Sequence, residues 1–133
     1  MCQHIDCVVI GAGASGMMCA GTAAENGNRV VVVEKNKMAG RKLLITGKGR
    51  CNVTNNCDAE TFFANIVSNP RFMMSSFSAF SNEDTIRFFE TLGVPLKTER
   101  GNRVFPSSDK ASDICNALKK YCDDCGVEFE RGD

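Results

Sequence analysis

The 133-residue chain has one histidine and no excess of charge, since sixteen Lys and Arg are balanced by sixteen Asp and Glu. With His4 alone, standing ahead of the first apolar segment, a histidine-based triad or metal cluster has little material. Overall neutrality makes no case for a partner that is recognised by bulk positive charge, such as nucleic acid or a membrane surface. No run approaches the ~20 apolar residues that span a bilayer, and Met1-Cys2-Gln3-His4 leads almost directly into the first strand, which leaves no room for a signal peptide. These absences predict a cytoplasmic chain with no membrane partner, whose eight cysteines stay thiols rather than forming a disulfide framework. Cys7, Cys19 and Cys115 fall on apolar faces and read as small core residues. The length suits one domain, or part of one.

What the chain does have is a strand, a glycine turn, a helix start and a second strand closed by an acid. These are Val8-Val9-Ile10-Gly11-Ala12-Gly13-Ala14-Ser15-Gly16, then Val30-Val31-Val32-Val33-Glu34. Gly11 permits the tight turn out of the strand, Gly13 lets backbone approach a pyrophosphate, and Gly16 lets the helix pack near the sheet. The helix amino terminus then faces the phosphates with unpaired N–H groups and a partial positive charge. Gly11, Gly13, Ala14, Ser15 and Gly16 are therefore candidate contacts to a dinucleotide. Glu34 lies 18 residues after Gly16, close to the spacing expected of a carboxylate that accepts hydrogen bonds from ribose hydroxyls. The same carboxylate would repel a 2′-phosphate.

Ile5 to Ile10 is apolar apart from Asp6, the pattern of a central parallel strand covered on both faces. Ser15 to Asn26 reads as a helix stopped by Gly27, and Val30 to Glu34 as a second parallel strand, so residues 5–34 form a βαβ unit. From Lys35 to Cys57 periodicity disappears, leaving a long loop of the kind that is usually functional. Helices are predicted over Ala59–Val67 and Arg71–Phe80. Ser81 and Asp84 form a capping box for a helix that carries Ile86, Phe89 and Leu92 on one face and ends at Gly93. Pro95–Glu99 and Arg103–Phe105 read as a small hairpin around Arg100-Gly101-Asn102. Asp109 is placed to cap a last helix, with Ala111, Ile114, Leu118, Tyr121 and Cys125 at helical spacing, before a strand over Val127–Glu130. A strand running out at Asp133 with nothing to extend the sheet predicts an α/β fold that is incomplete.

Between Glu34 and Asp58 there is no acid, while Lys35, Lys37, Arg41, Lys42, Lys48 and Arg50 crowd the segment. It should attract phosphate. Within it, Gly40-Arg41-Lys42-Leu43-Leu44-Ile45-Thr46-Gly47-Lys48-Gly49-Arg50-Cys51-Asn52-Val53-Thr54-Asn55 offers main-chain N–H groups at its glycines and donors from its basic, Asn and Thr side chains. Taken alone, that stretch is either a cofactor loop or a solvated basic loop.

Together these segments resemble a known family, the two-domain flavoproteins called the aminoacetone oxidase family or HI-type NAD(P)/FAD-dependent oxidoreductases. The resemblance rests on Gly11 to Gly16, on Glu34-Lys35, on Gly40 to Asn55, and on Gly101-Asn102-Arg103-Val104-Phe105-Pro106 followed by Ala111. Gly49-Arg50-Cys51-Asn52 is its most specific part. It implies FAD as cofactor, with the pyrophosphate cradled by Gly11 to Gly16, Glu34 at the adenosine ribose, Lys35 as a further cofactor contact, and Lys42, Gly49, Arg50, Cys51 and Asn52 on the flavin side. It also implies a flavin-dependent oxidoreductase with NAD(P)H as reductant. The substrates it implies are small amines or ketones, unsaturated steroid-like acids, or a base in ribosomal RNA. Lys48 stands where many relatives have glycine. Family members are also much longer, with an inserted substrate domain and a C-terminal return that completes the FAD site. Residues 1–133 then read as the N-terminal part of a Rossmann-like FAD-binding domain, with additional helices and a short hairpin, dependent on a C-terminal region.

Several residues keep two readings. Cys51 is either a thiol activated by Arg50 or a packing residue beside the cofactor. Arg103 to Pro106 is either a flavin-side or substrate-side element or a plain hairpin strand. Cys122 and Cys125 form a Cys-x-x-Cys pair, but at a helix end and without two further ligands for zinc, so no metal is predicted. No side chain stands out as the catalytic acid or base. Two other classes stay open: a nucleotide-binding module without turnover of its own, and an enzyme using NAD or S-adenosylmethionine, whose ribose Glu34 would also suit.

Overall fold

The computed structural model describes residues 4–132, so the expected strand end at Asp133 lies outside the described residues. β1 (Cys7–Ile10) turns through Gly11 into α1 (Ala14–Glu25), and Gly27, left-handed at φ 85°, leads on to β2 (Val30–Glu34). A short helix α2 (Arg41–Ile45) and a 3-10 turn over Thr46–Gly49 follow, then the two-residue strand β3 (Thr54–Asn55). α3 (Ala59–Ala64), a 3-10 turn over Pro70–Met73, α4 (Met74–Ala79) and α5 (Asn82–Thr91) make a helical excursion. The hairpin β4 (Leu96–Glu99) and β5 (Arg103–Pro106) leads to α6 (Ala111–Asp124) and β6 (Glu128–Arg131).

The strands form two sheets. In the first, β1, β2 and β6 run parallel in that order, with Cys7 opposite Val30 and Val32 opposite Phe129. In the second, β5 is central, antiparallel to both β3 and β4. One core joins them: Met17 and Ala20 of α1, Val30 and Val32 of β2, and Ile114 and Leu118 of α6 are buried together, with Cys7 and Val9 packed against them. α1 and α6 come close because residue 21 is glycine. A Cβ there would collide with the Tyr121 ring.

The βαβ unit and the hairpin stand where the sequence puts them, and Ser81 and Asp84 make the reciprocal capping box that opens α5. Several expectations are corrected. β2, not β1, is central, and Val8, Ile10 and Val33 leave one face of the first sheet exposed, Ile10 at 80%. An all-apolar strand records that both faces are suited to burial, not that this stretch of chain covers both. The long loop contains α2 and β3. The helix expected to run to Val67 stops at Ala64, and the one expected from Arg71 begins as a 3-10 turn. Asp109 does not cap α6, whose N-cap is Lys110 without a side-chain bond, because the Asp109 carboxylate is taken by Arg50 and Lys97. Cys19 is exposed, whereas Cys115 is buried. No helix among the described residues is long and apolar enough to cross a membrane.

Candidate functional site

The turn leaving β1 is shaped by its three glycines. Gly11 adopts φ 96°, and its N–H donates to the Val33 carbonyl at 2.8 Å, which ties the turn to β2. A Cβ at Gly16 would collide with the Gly11 carbonyl oxygen, so only glycine lets α1 start this close to the strand. At Gly13 the reverse holds. Nothing lies within 4 Å of where its Cβ would be, so the backbone there borders open space. Gly13 is also the N-cap of α1, which has no side-chain cap and no acid in its first turn. The first bond of the helix is Met17 N–H to the Gly13 carbonyl, at 2.9 Å. The amides of Ala14, Ser15 and Gly16 thus lack acceptors in the helix, as the first turn of any helix does. Open space, free N–H groups and a helix dipole make a cradle that fits an anionic diphosphate.

Glu34 closes this cradle from the end of β2. Its Oε2 accepts the Ala12 N–H at 2.7 Å, while Oε1 accepts both the N–H of Asn36 at 2.8 Å and its Nδ2 at 2.7 Å. These bonds, the Asn36 amide first and the Ala12 amide next, hold the carboxyl below its ordinary range against the opposing effect of burial, with the Lys35 charge helping. A buried carboxylate, 8% exposed, therefore stays charged and aimed at the glycine turn rather than into the apolar core.

The basic glycine loop is stitched onto that turn. Gly40, left-handed at φ 69°, donates its N–H to the Ala12 carbonyl at 2.7 Å, and a Cβ there would collide with the Cys115 sulfur. Gly47, Lys48, Gly49 and Cys51 are all left-handed, at φ 55°, 57°, 84° and 61°. Lys48 adopts a glycine conformation where relatives were expected to carry glycine. This coiled path delivers Cys51 and Asn52 to a cavity of about 240 Å³, which Ala14 and Ser15 line from the other side and Phe88 and Phe89 line as an apolar wall. Burial pushes the Cys51 thiol up, opposite to the lowering that an activated thiol needs. The Asn52 amide, turned to satisfy its neighbours, donates to the carbonyls of Val104 at 3.2 Å and Thr54 at 3.1 Å.

Arg50 points elsewhere. Its guanidinium carbon sits 4.1 Å from the centroid of the Phe105 ring, its Nε donates to Asp109 at 2.8 Å, and it also pairs with Glu99. Lys97 bridges the same two acids, 2.9 Å from Asp109 and 3.3 Å from Glu99. Arg50 therefore anchors the loop to the hairpin instead of lining the cavity, and Phe105 serves as its platform. Lys35, Lys42 and Gly49 are exposed and also lie off the cavity wall. At the far end of α6, the Cys122 thiol donates to the Met17 carbonyl at 3.2 Å, and burial pushes it up to about 11. Cys125 is pushed up as well, so the pair has no thiolate character. Asn36 and the phenylalanine wall escape sequence reasoning. An amide two residues beyond the acid is a usable signal for the first, because a carboxylate readily accepts the N–H at that spacing.

Comparison with known proteins agrees with the Rossmann-type fold. Residues 5–133 match the family described as HI0933-like protein Rossmann domain. The chain is 33% identical over 127 residues to the ribosomal RNA dihydrouridine synthase of Escherichia coli, covering 96% of this chain and 31% of that protein. It is 35% identical over 114 residues to the 3-dehydro-bile acid delta(4,6)-reductase of Clostridium scindens, covering 84% and 27%. It thus spans about a third of the length of these relatives. Among solved structures it shares the fold of Thermovibrio ammonificans THI4, with a TM-score of 0.63 at 14% identity, over 96% of this chain and 38% of that one.

Proposed function

Since this chain belongs to the HI0933-like protein Rossmann-domain family, we propose that it is the FAD-binding module of a flavoenzyme, and with that how its residues divide the cofactor and what the whole protein does with it. Gly11, Gly13, Ala14, Ser15 and Gly16 take the pyrophosphate on backbone N–H groups at the positive end of α1. Glu34, with Lys35 beside it, accepts a hydrogen bond from the adenosine ribose. Cys51 and Asn52 face the flavin end, and Lys42 and Gly49 flank it. Arg50 serves that end indirectly, by fixing the loop. When bound, FAD supplies hydride and electron transfer, and the protein supplies binding, orientation and exclusion of water. In this chain the apolar wall of Phe88 and Phe89 does the excluding.

The whole protein is a reductase of an unsaturated substrate, with NAD(P)H as reductant acting outside the first cradle, which FAD fills and where Glu34 would also repel the 2′-phosphate of the NADP form. A small molecule and an RNA base both fit this class. The names of the relatives, a dihydrouridine synthase and a reductase, support reduction over amine oxidation of the aminoacetone oxidase type. The same reading puts the protein in a reducing cytoplasm, where its thiols stay free.

A second reading, a module without turnover on its own, is favoured by one observation. β1 sits at the edge of its sheet with Val8 and Ile10 exposed, so turnover depends on a further, C-terminal region that covers them. The observation carrying the main proposal is the charged Glu34 held against the Ala12 amide at the mouth of an open, uncapped α1. Mass spectrometry of the ligand released from the full-length protein tests it. FAD is expected; NAD or S-adenosylmethionine alone would contradict it.

A further inference from the structure

The Glu34 carboxylate is nearly saturated before any ligand arrives. Oε1 already accepts two donors, both from Asn36, and Oε2 accepts one, from Ala12. A carboxylate offers about four acceptor positions, two on each oxygen, so one is left, on Oε2. The Asn36 amide is held in this role from its other end, because its Oδ1 faces the Arg41 Nη1 at 3.5 Å. That contact is too long to add much, but its sign fixes which end of the amide meets Glu34. The Ala12 N–H belongs to the glycine turn and cannot leave without breaking it. The Asn36 side chain is thus the only one of the three donors free to rotate away.

We infer that Asn36 is a specificity-determining residue that restricts Glu34 to a single ribose hydroxyl, by filling Oε1 and leaving one acceptor on Oε2. This rests on the reading of Glu34 as the ribose carboxylate. A ribose diol that presents two hydroxyls to the acid finds room for one. The second hydroxyl stays with solvent or other groups, and Asn36 keeps the carboxylate from turning to receive it. Asn36 acts through Glu34, so it is a positioning residue, and its loss should widen recognition rather than abolish binding.

The test measures dissociation constants of the full-length protein, stripped of ligand, for FAD and for its 2′-deoxyadenosine and 3′-deoxyadenosine analogues. In the unaltered protein one analogue should bind at least about tenfold more weakly than FAD, the worth of a hydrogen bond to a charged acceptor, and the other about as tightly as FAD. In Asn36→Ala the freed Oε1 should make both hydroxyls matter, so that both analogues weaken. Equal losses for the two analogues in the unaltered protein would overturn the inference, as would an Asn36→Ala protein that keeps the one-sided pattern. Both of those outcomes leave Glu34 as the ribose ligand. If neither hydroxyl matters in the unaltered protein, Glu34 does not hold the ribose, and the inference falls together with the reading beneath it. The analogue comparison in the unaltered protein stands even if the variant does not fold.

Discussion

Glu34 and Ala12, 22 positions apart, are joined by a 2.7 Å hydrogen bond that locks the end of β2 to the turn leaving β1. A carboxylate accepts this bond and the two from Asn36 more strongly than a neutral acid would, and these bonds, the Asn36 amide first and the Ala12 amide next, hold the Glu34 carboxyl below its ordinary value of 4.5.

Stability should therefore depend on pH with a definite sign. A carboxyl whose folded value lies below its unfolded one contributes fully above the unfolded value, and the contribution is lost as pH falls through the folded one. Glu34→Gln puts an amide where three N–H donors converge and should cost on the order of 1–2 kcal/mol at neutral pH. The difference between the two proteins in urea unfolding should shrink as the pH drops below about 4.5. A difference that stays constant with pH would refute the charge-based account.

Gly13 and Gly16 should separate folding from binding. Gly16→Ala drives a methyl group into the Gly11 carbonyl and should destabilise the protein by about 1–3 kcal/mol or more. Gly13→Ala meets nothing and should cost less than about 1 kcal/mol, yet its methyl enters the cradle and should weaken FAD binding at least about tenfold. Thermal unfolding and flavin fluorescence titration check the pair.

Lys48 holds a left-handed conformation at φ 57°. Lys48→Gly should remove backbone strain on the order of 1 kcal/mol, offset in part by the greater freedom of glycine in the unfolded chain. A small net gain in the urea midpoint is expected. A clear loss would mean that the lysine side chain stabilises the loop in another way.

Arg50 reaches Glu99 and Asp109, 49 and 59 positions along the chain, while its guanidinium rests on Phe105. Arg50→Met keeps the stem and removes the charge. It should lower the melting temperature and loosen the loop that carries Cys51 and Asn52, weakening FAD more than it weakens folding. Arg50→Lys should recover little, because a point charge cannot repeat the planar fork. High salt should narrow the gap in melting temperature between Arg50→Met and the unaltered protein.

Local chemistry made much of the molecule legible in advance. Gly11, Gly16 and Glu34 do their work within a βαβ unit whose spacing is fixed by one strand, one helix and one strand, so their positions follow from the sequence alone. The Ser81 and Asp84 cap is likewise a matter of neighbours. The errors share a cause in distant partners. Asp109 looks like a helix cap until Arg50 and Lys97 arrive from two other segments. β1 looks central because its side chains cannot say which strands flank it. The anchoring of Arg50 by Glu99 and Phe105 is out of reach for the same reason, because both partners come from the hairpin far along the chain. Asn36 was hidden for a different reason: its role exists only once the rotamer of Glu34 is known.

The measurement that bears most directly on the account is a calorimetric titration of the stripped full-length protein with FAD and with FMN, repeated for Glu34→Gln. FMN lacks the adenosine and one phosphate, so a site built on the glycine cradle and Glu34 should take FAD far more tightly than FMN, and the variant should lose at least about tenfold of that preference, the share of one hydrogen bond to a charged acceptor. FMN binding as tightly as FAD, or a preference untouched by Glu34→Gln, would contradict it.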